Sequence, residues 1–143
     1  MNINNLELKI IKKLQELEID KHARLLSKPF NTISFFIIVI ILYLLKVISF
    51  KEAILIKLSS FFTFIIKLIV KRKRPYINSL IIQNKSKKTH GNNKFKSDYY
   101  SFPSGHTLTA TVLSLILFYK YSNTLVLLIP VLVGFSRIYL GVH

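Results

Sequence analysis

From residue 29 to residue 50 the chain reads PFNTISFFIIVIILYLLKVISF, and Lys46 is its only charge. A bilayer core takes about 20 residues of helix, so this run alone is long enough to span one. Three more apolar runs follow: residues 53–70, broken by Lys57 and Lys67; residues 107–119; and residues 121–135, where Pro130 predicts a kink. The last three are marginal spans and need the company of a bundle. None alternates with period two, which argues against a transmembrane barrel. The pattern predicts an all-α integral membrane bundle of about four spanning helices.

Charge makes the same choice. The 143 residues carry 21 Lys or Arg against 6 Asp or Glu, a formal net charge of +15, yet 51% of them are hydrophobic. A disordered basic tail would be poor in apolar residues, and a soluble domain seldom averages so apolar, because its surface must be wetted. A basic excess points to nucleic acid or to anionic lipid. The long apolar runs decide for lipid, and no nucleic-acid partner is expected. With no Cys, disulfides, thiolate metal sites and Cys nucleophiles are excluded. Asp98 is the only acid after Glu52, so no carboxylate cluster is available for Mg²⁺, and neither metal nor cofactor is expected.

Two segments stand apart from the spans. In residues 1–28, Ile3, Leu6, Ile10, Leu14 and Leu17 recur at spacings of three and four, with Lys9, Lys12, Lys13 and Glu16 on the other face. That predicts an amphipathic helix lying on the membrane surface, and a division into an interfacial segment, 1–28, and a membrane core, 29–143. It lacks the apolar centre and small-residue cleavage site of a signal peptide. The polar stretch 83–97 predicts a low-complexity, mobile loop. His22 in the first segment and His90 in the loop read as solvated.

Three short patterns at the ends of the apolar runs could carry chemistry. The first is Lys67, six residues, then Arg74-Pro75. On a helix these cations share a face about 10 Å apart, and Pro75 is expected to stop the helix with Arg74 held at the stop. The same cluster also reads as a plain marker of a membrane edge. The second is Pro103-Ser104-Gly105-His106, opening the third run. A helix start offers unpaired N–H groups to an anion, and His106 one turn in can protonate a leaving oxygen. The alternative is a helix cap with an incidental histidine. The third is Ser136-Arg137, five residues, His143. Arg137 offers a planar fork for phosphate oxygens; six positions on a helix would set His143 well apart from it in angle, so Gly141 is expected to bend the chain between them.

Together, in this order and at these spacings, the three patterns resemble those of the type 2 phosphatidic acid phosphatase family, whose fold is shared with vanadium-dependent haloperoxidases. The resemblance covers residues 67–143. It implies a metal-independent hydrolase of a lipid phosphate monoester or diphosphate, of phosphatidate or isoprenoid type, working through a phosphohistidine. Carried over, it makes His143 the nucleophile and His106 the general acid. Lys67, Arg74, Ser104, Gly105 and Arg137 become ligands of the phosphate.

The family's third pattern continues to an Asp four residues beyond the nucleophile and to a last membrane helix. The sequence ends at His143, so the core is expected to be incomplete at its C-terminal side and a poor catalyst. The rival readings are an inactive truncated family member and a non-enzymatic membrane protein that binds anionic lipid through its basic segments. Six Lys or Arg lie between residues 9 and 28 and nine between residues 71 and 96, on the side of the motifs. The positive-inside rule then places the motif face in the cytoplasm.

Overall fold

The computed structural model describes residues 5–78, 82–85 and 100–143. These residues form helices α1 (Asn5–Gln15), α2 (Asp20–Ser27), α3 (Thr32–Leu44), α4 (Phe50–Val70), α5 (Pro75–Asn78), α6 (Gly105–Tyr121) and α7 (Leu128–Tyr139). Short 3-10 turns precede α3 and α7, and no strand occurs among the described residues. The all-helical expectation holds.

Helix α4 is set by its start. Ser49 Oγ accepts from Glu52 N and the Glu52 carboxylate accepts from Ser49 N, a capping box. The turn before it is tied across the bundle by Lys120 Nζ, which donates to Val47 O at 2.7 Å. Lys120 lies in the last turn of α6, so the connections α3–α4 and α6–α7 meet at one end of the molecule. Small residues let the helices approach. A Cβ on Gly105 would lie 3.6 Å from Thr63 Cγ2 of α4, and one on Gly134 would lie 3.5 Å from Thr107 Cγ2 of α6. The order α4–α6–α7 follows from these contacts. A core of Phe35, Ile48, Ile56 and Leu113 joins α3, α4 and α6.

Among the described residues only α4 is by itself long and apolar enough to cross a membrane, and the bent pair of α2 with its 3-10 turn and α3 makes a second candidate. The third and fourth apolar runs fold as helices of 17 and 12 residues. Most of α4 is exposed, including Ile54, Leu55, Leu58, Phe61, Phe62 and Ile69.

Several local expectations are corrected. Pro130 does not fall in the middle of a helix. It sits in the first turn of α7, where its missing N–H costs no intrahelical bond. Pro75 does not stop α4, which ends one turn earlier at Val70 with Lys71 in the left-handed conformation (φ 49°); Pro75 instead opens α5. Arg74 therefore lies in the link between the two helices and does not share a helix face with Lys67. The N-terminal segment is two helices, because Glu18 turns the chain with φ 52°.

Those two helices pack against the bundle. Ala23 of α2 joins Tyr139, Leu140 and Val142 in a second core, with Leu14, Ile19 and Tyr76 around it. Gln15 Nε2 donates to Tyr139 O (3.1 Å) and Gln83 O (2.8 Å). Lys85 Nζ donates to Asp20 Oδ1 (2.8 Å) and Tyr139 Oη (3.2 Å), and the Tyr139 hydroxyl donates to the same Asp20 oxygen. Residues 5–27 are thereby bonded to the turn that follows α7. Leu6, Ile10 and Leu17 of the expected apolar face remain exposed.

Candidate active site

The end of α7 shows how the sequence builds the site. Gly141 has φ 71°, and the N–H groups of Gly141 and Val142 donate to Ile138 O (2.9 Å) and Arg137 O (3.3 Å). This is a Schellman turn, which satisfies the last helical carbonyls and reverses the chain. It brings His143 back beside Arg137, the bend expected from the sequence. A Cβ on Gly141 would meet Gln83 O at 2.7 Å, so the turn is held against the 82–85 segment.

The first pattern arrives from the other side. The left-handed turn at Lys71 folds the link back, and Arg74 Nη1 donates to Val142 O at 3.0 Å. Arg74 is only 4% exposed and Arg137 only 6%. The Arg137 Nε is buried without a hydrogen-bond partner among the described residues.

His143 is half-buried, with its Nδ1 against the main-chain carbonyl of Ser101. A carbonyl only accepts, so Nδ1 carries the proton and the lone pair is left on Nε2. Ser101 is itself pinned to the link: its N–H donates to Arg72 O (2.7 Å), and its hydroxyl faces Arg72 O (3.1 Å) and Lys73 O (3.2 Å). Burial first, then the positive charges of Arg137, Arg74 and Lys67, push the His143 imidazole well below the usual histidine range.

The second pattern opens α6. Ser104 is the N-cap, and its Oγ accepts from Thr107 N at 3.4 Å. Its hydroxyl is therefore directed to the helix, and Ser104 is not among the residues that line the cavity described next. His106, in the first turn, places Nε2 3.0 Å from Asn31 Oδ1.

Lys67, Arg74, Gly105, His106, Arg137 and His143 all line one cavity of about 880 Å³. From this polar end it runs between α3 and α4, past Phe35, Phe36 and Ile40, to Tyr43 and Phe50 at the other end of α4. Among the described residues its lining includes six cations, Arg24, Lys28, Lys57, Lys67, Arg74 and Arg137, and no Asp or Glu. Among the described residues no group of three His, Asp or Glu side chains gathers as a metal site would require. Six of the seven residues singled out by the three patterns thus come together, and Ser104 adjoins them as the cap. His22 is exposed on α2, while His90 and most of the 83–97 stretch lie outside the described residues.

Sequence reasoning misses Asn31 and Ser101. Asn31 carries the ordinary signal of a helix N-cap before an apolar run, and Ser101 acts through its carbonyl, which no side-chain pattern encodes.

A helical core thus gathers Lys, Arg, two His and a helix start around one cavity. Residues 48–143 match the PAP2 superfamily, and the chain belongs to that superfamily. The family supports phosphatase-type activity on phosphate esters. No curated protein and no solved structure matches the chain.

Proposed function

We propose that this chain hydrolyses a lipid phosphate monoester or diphosphate by way of a phosphohistidine on His143, without a metal ion. The observation that carries the reading is the cavity's polar end. Lys67, Arg74 and Arg137 converge on one histidine at the end of a cavity whose described lining is rich in cations. Cations so gathered in a buried site call for a polyanion. A phosphoryl group in flight spreads its charge over three equatorial oxygens, so fixed cations are the main catalytic asset.

In this reading the substrate phosphate enters among Lys67, Arg74 and Arg137, and the main chain at Gly105 gives its first-turn N–H groups to an oxygen. The lone pair on His143 Nε2 attacks phosphorus. The bond from phosphorus to the leaving oxygen breaks, and His106 gives that oxygen its proton, releasing the alcohol. Water then attacks the phosphohistidine and loses a proton to His106. The N–P bond breaks, and inorganic phosphate leaves. The hydrogen bond from Nδ1 to Ser101 O keeps the reactive tautomer in place and steadies the imidazolium as charge develops.

The rest of the cavity supports a lipid. Its phenylalanine-rich wall leads away from the phosphate end, as a hydrocarbon chain requires. The exposed face of α4 supports a bilayer around it. In a four-span arrangement α3, α4, α6 and α7 cross the membrane. α3 and α7 are about 18–20 Å long against a hydrocarbon core of about 30 Å, which recesses the site below the headgroups. The exposed Leu6, Ile10 and Leu17 of α1 then rest in the interface. The motif face is cytoplasmic in this reading. Since the chain has no Cys, a single Lys12→Cys substitution tests it: labelling by an impermeant maleimide only after cell rupture is expected, and labelling of intact cells rejects that orientation.

The test of function is phosphate release from phosphatidate and from an isoprenyl diphosphate in detergent, with chelator present. Turnover by the wild type and its loss in His143→Ala are expected. Equal turnover by the two proteins, or turnover abolished by chelator, contradicts the reading.

A further inference from the structure

Asn31 stands at the N-cap of α3 with φ −64° and ψ 147°, where an Asn side chain ordinarily accepts from an N–H of the first turn. It makes no such bond. The side chain reaches across the cavity instead, and Oδ1 lies 3.0 Å from Nε2 of His106, 75 residues away. The backbone arranges this reach: the helical segment ending at Phe30 and the helix starting at Thr32 meet at 56°, with Asn31 at the corner. Asn31 lines the same cavity as His106 and His143. It also lies outside residues 48–143, the stretch that matches the family.

We propose that Asn31 is a positioning residue for His106, holding the imidazole so that its Nε2 proton points at the oxygen that leaves the substrate. The inference rests on the reading of His106 as general acid. An amide oxygen accepts and cannot donate, so the partnership places a His106 proton on Nε2, the ring nitrogen that faces Asn31. A proton donor gains from a fixed direction, since its efficiency depends on hydrogen-bond reach to the departing oxygen. In the complex the leaving oxygen shares that proton with Asn31 Oδ1 in a three-centre hydrogen bond, and Asn31 keeps the ring in place until transfer. The side chain that forgoes capping for this contact gives up stability of the helix for placement of a catalytic group. Among the described residues, the charged or titratable groups that line the cavity with His106 are Arg24 on α2, Lys28 before α3, Tyr43 on α3, Lys57 and Lys67 on α4, Arg74 in the link, and Arg137 and His143 at the end of α7.

The experiment compares two substrates in the purified full chain: an alkyl phosphate, whose alkoxide needs a proton to leave, and 4-nitrophenyl phosphate, whose leaving group departs without one. Asn31→Ser keeps the capping ability of the position but is too short to reach His106, and Asn31→Asp keeps the reach and adds a charge. Asn31→Ser is expected to lower the first-turnover rate of alcohol release from the alkyl ester by about 10²-fold, within the range for general acid catalysis. The first-turnover release of nitrophenolate, which precedes the water step common to both esters, should change by less than about threefold. Asn31→Asp should retain turnover and move the alkaline limb of its pH profile upward, because an anion beside the imidazole favours the protonated form. Equal losses on both esters, or none on either, would show that Asn31 serves only the fold, and the proposal falls. An unmoved alkaline limb in Asn31→Asp overturns it as well. If the wild type hydrolyses neither ester, the phosphatase reading itself is wrong and the proposal goes with it. With a wild type active on both esters, the ratio of the two losses reports on Asn31 alone.

Discussion

His143 Nδ1 donates its hydrogen to the main-chain carbonyl of Ser101, 42 residues earlier in the chain. That carbonyl is itself fixed by three contacts from Ser101 to the backbone of Arg72 and Lys73. The link carrying Arg72 is tied to α1 by the ion pair of Arg72 with Glu7 at 3.0 Å. The nucleophile proposed here is therefore oriented by backbone, and the orientation depends on segments far from it in sequence.

This environment predicts a proton linkage. Burial and the three cations hold His143 below its usual range, and its unfolded value is about 6.5. Above about pH 6.5 both states are neutral and the group contributes nothing. Below it the unfolded chain binds a proton that the folded one refuses, so stability falls as pH drops. An anion that neutralises the cations reverses the effect. Orthovanadate, a mimic of the phosphoryl group, is expected to bind with proton uptake and more tightly at pH 6 than at pH 8. Calorimetry in two buffers of different ionisation enthalpy measures the uptake. His143→Gln should abolish it, and uptake that persists in that variant would place the proton elsewhere.

Arg137 is the cation least replaceable by lysine. Its guanidinium is buried with Nε unpartnered among the described residues, and a point charge on a flexible stem cannot reproduce a planar fork. Arg137→Lys should weaken vanadate binding by about 10–100-fold, the range of a lost charged hydrogen bond. Unchanged affinity by equilibrium dialysis would remove Arg137 from the phosphate site.

Gly141→Ala tests the turn. A side chain at φ 71° costs about 1–2 kcal/mol from the backbone alone, and the added Cβ would lie 2.7 Å from Gln83 O. The variant is expected to melt earlier and to lose turnover more than vanadate affinity, because His143 shifts while Lys67 and the start of α6 do not. Thermal melting and kcat together check this.

The three patterns are legible because each is a local string at a helix end, and local strings encode caps and turns. The Schellman turn at Gly141 is a case in which residue type alone foretells geometry. Pro75 misleads because proline both ends one helix and begins another, and only the left-handed Lys71 shows which of the two occurs. Asn31, Gln15 and Ser101 act across 75, 68 and 42 residues, and no periodicity within a segment reports such contacts. The amphipathic spacing of residues 3–17 identifies a helix with an exposed apolar edge, but the break at Glu18 and the docking on α7 depend on partners distant in sequence.

That docking changes what a deletion should do. Removing residues 1–28 leaves α4 and the other apolar helices, so insertion in membranes is expected to survive. Turnover is expected to fall by about 10²-fold, the scale on which small misplacements act, because Gln15 and Asp20 no longer hold Tyr139 and the turn before His143. Membrane pelleting and phosphate release measure the two effects separately. Full turnover after deletion would mean that the turn holds itself.

The proposed phosphohistidine is tested by trapping. The purified chain is mixed with a ³²P-labelled lipid phosphate and quenched in alkali within milliseconds, and the labelled peptide is sequenced. Label is predicted on His143, stable in base and released by acid, with none in His143→Ala. Steady release of phosphate with no label on the protein, or label on any other residue, would contradict the proposed mechanism.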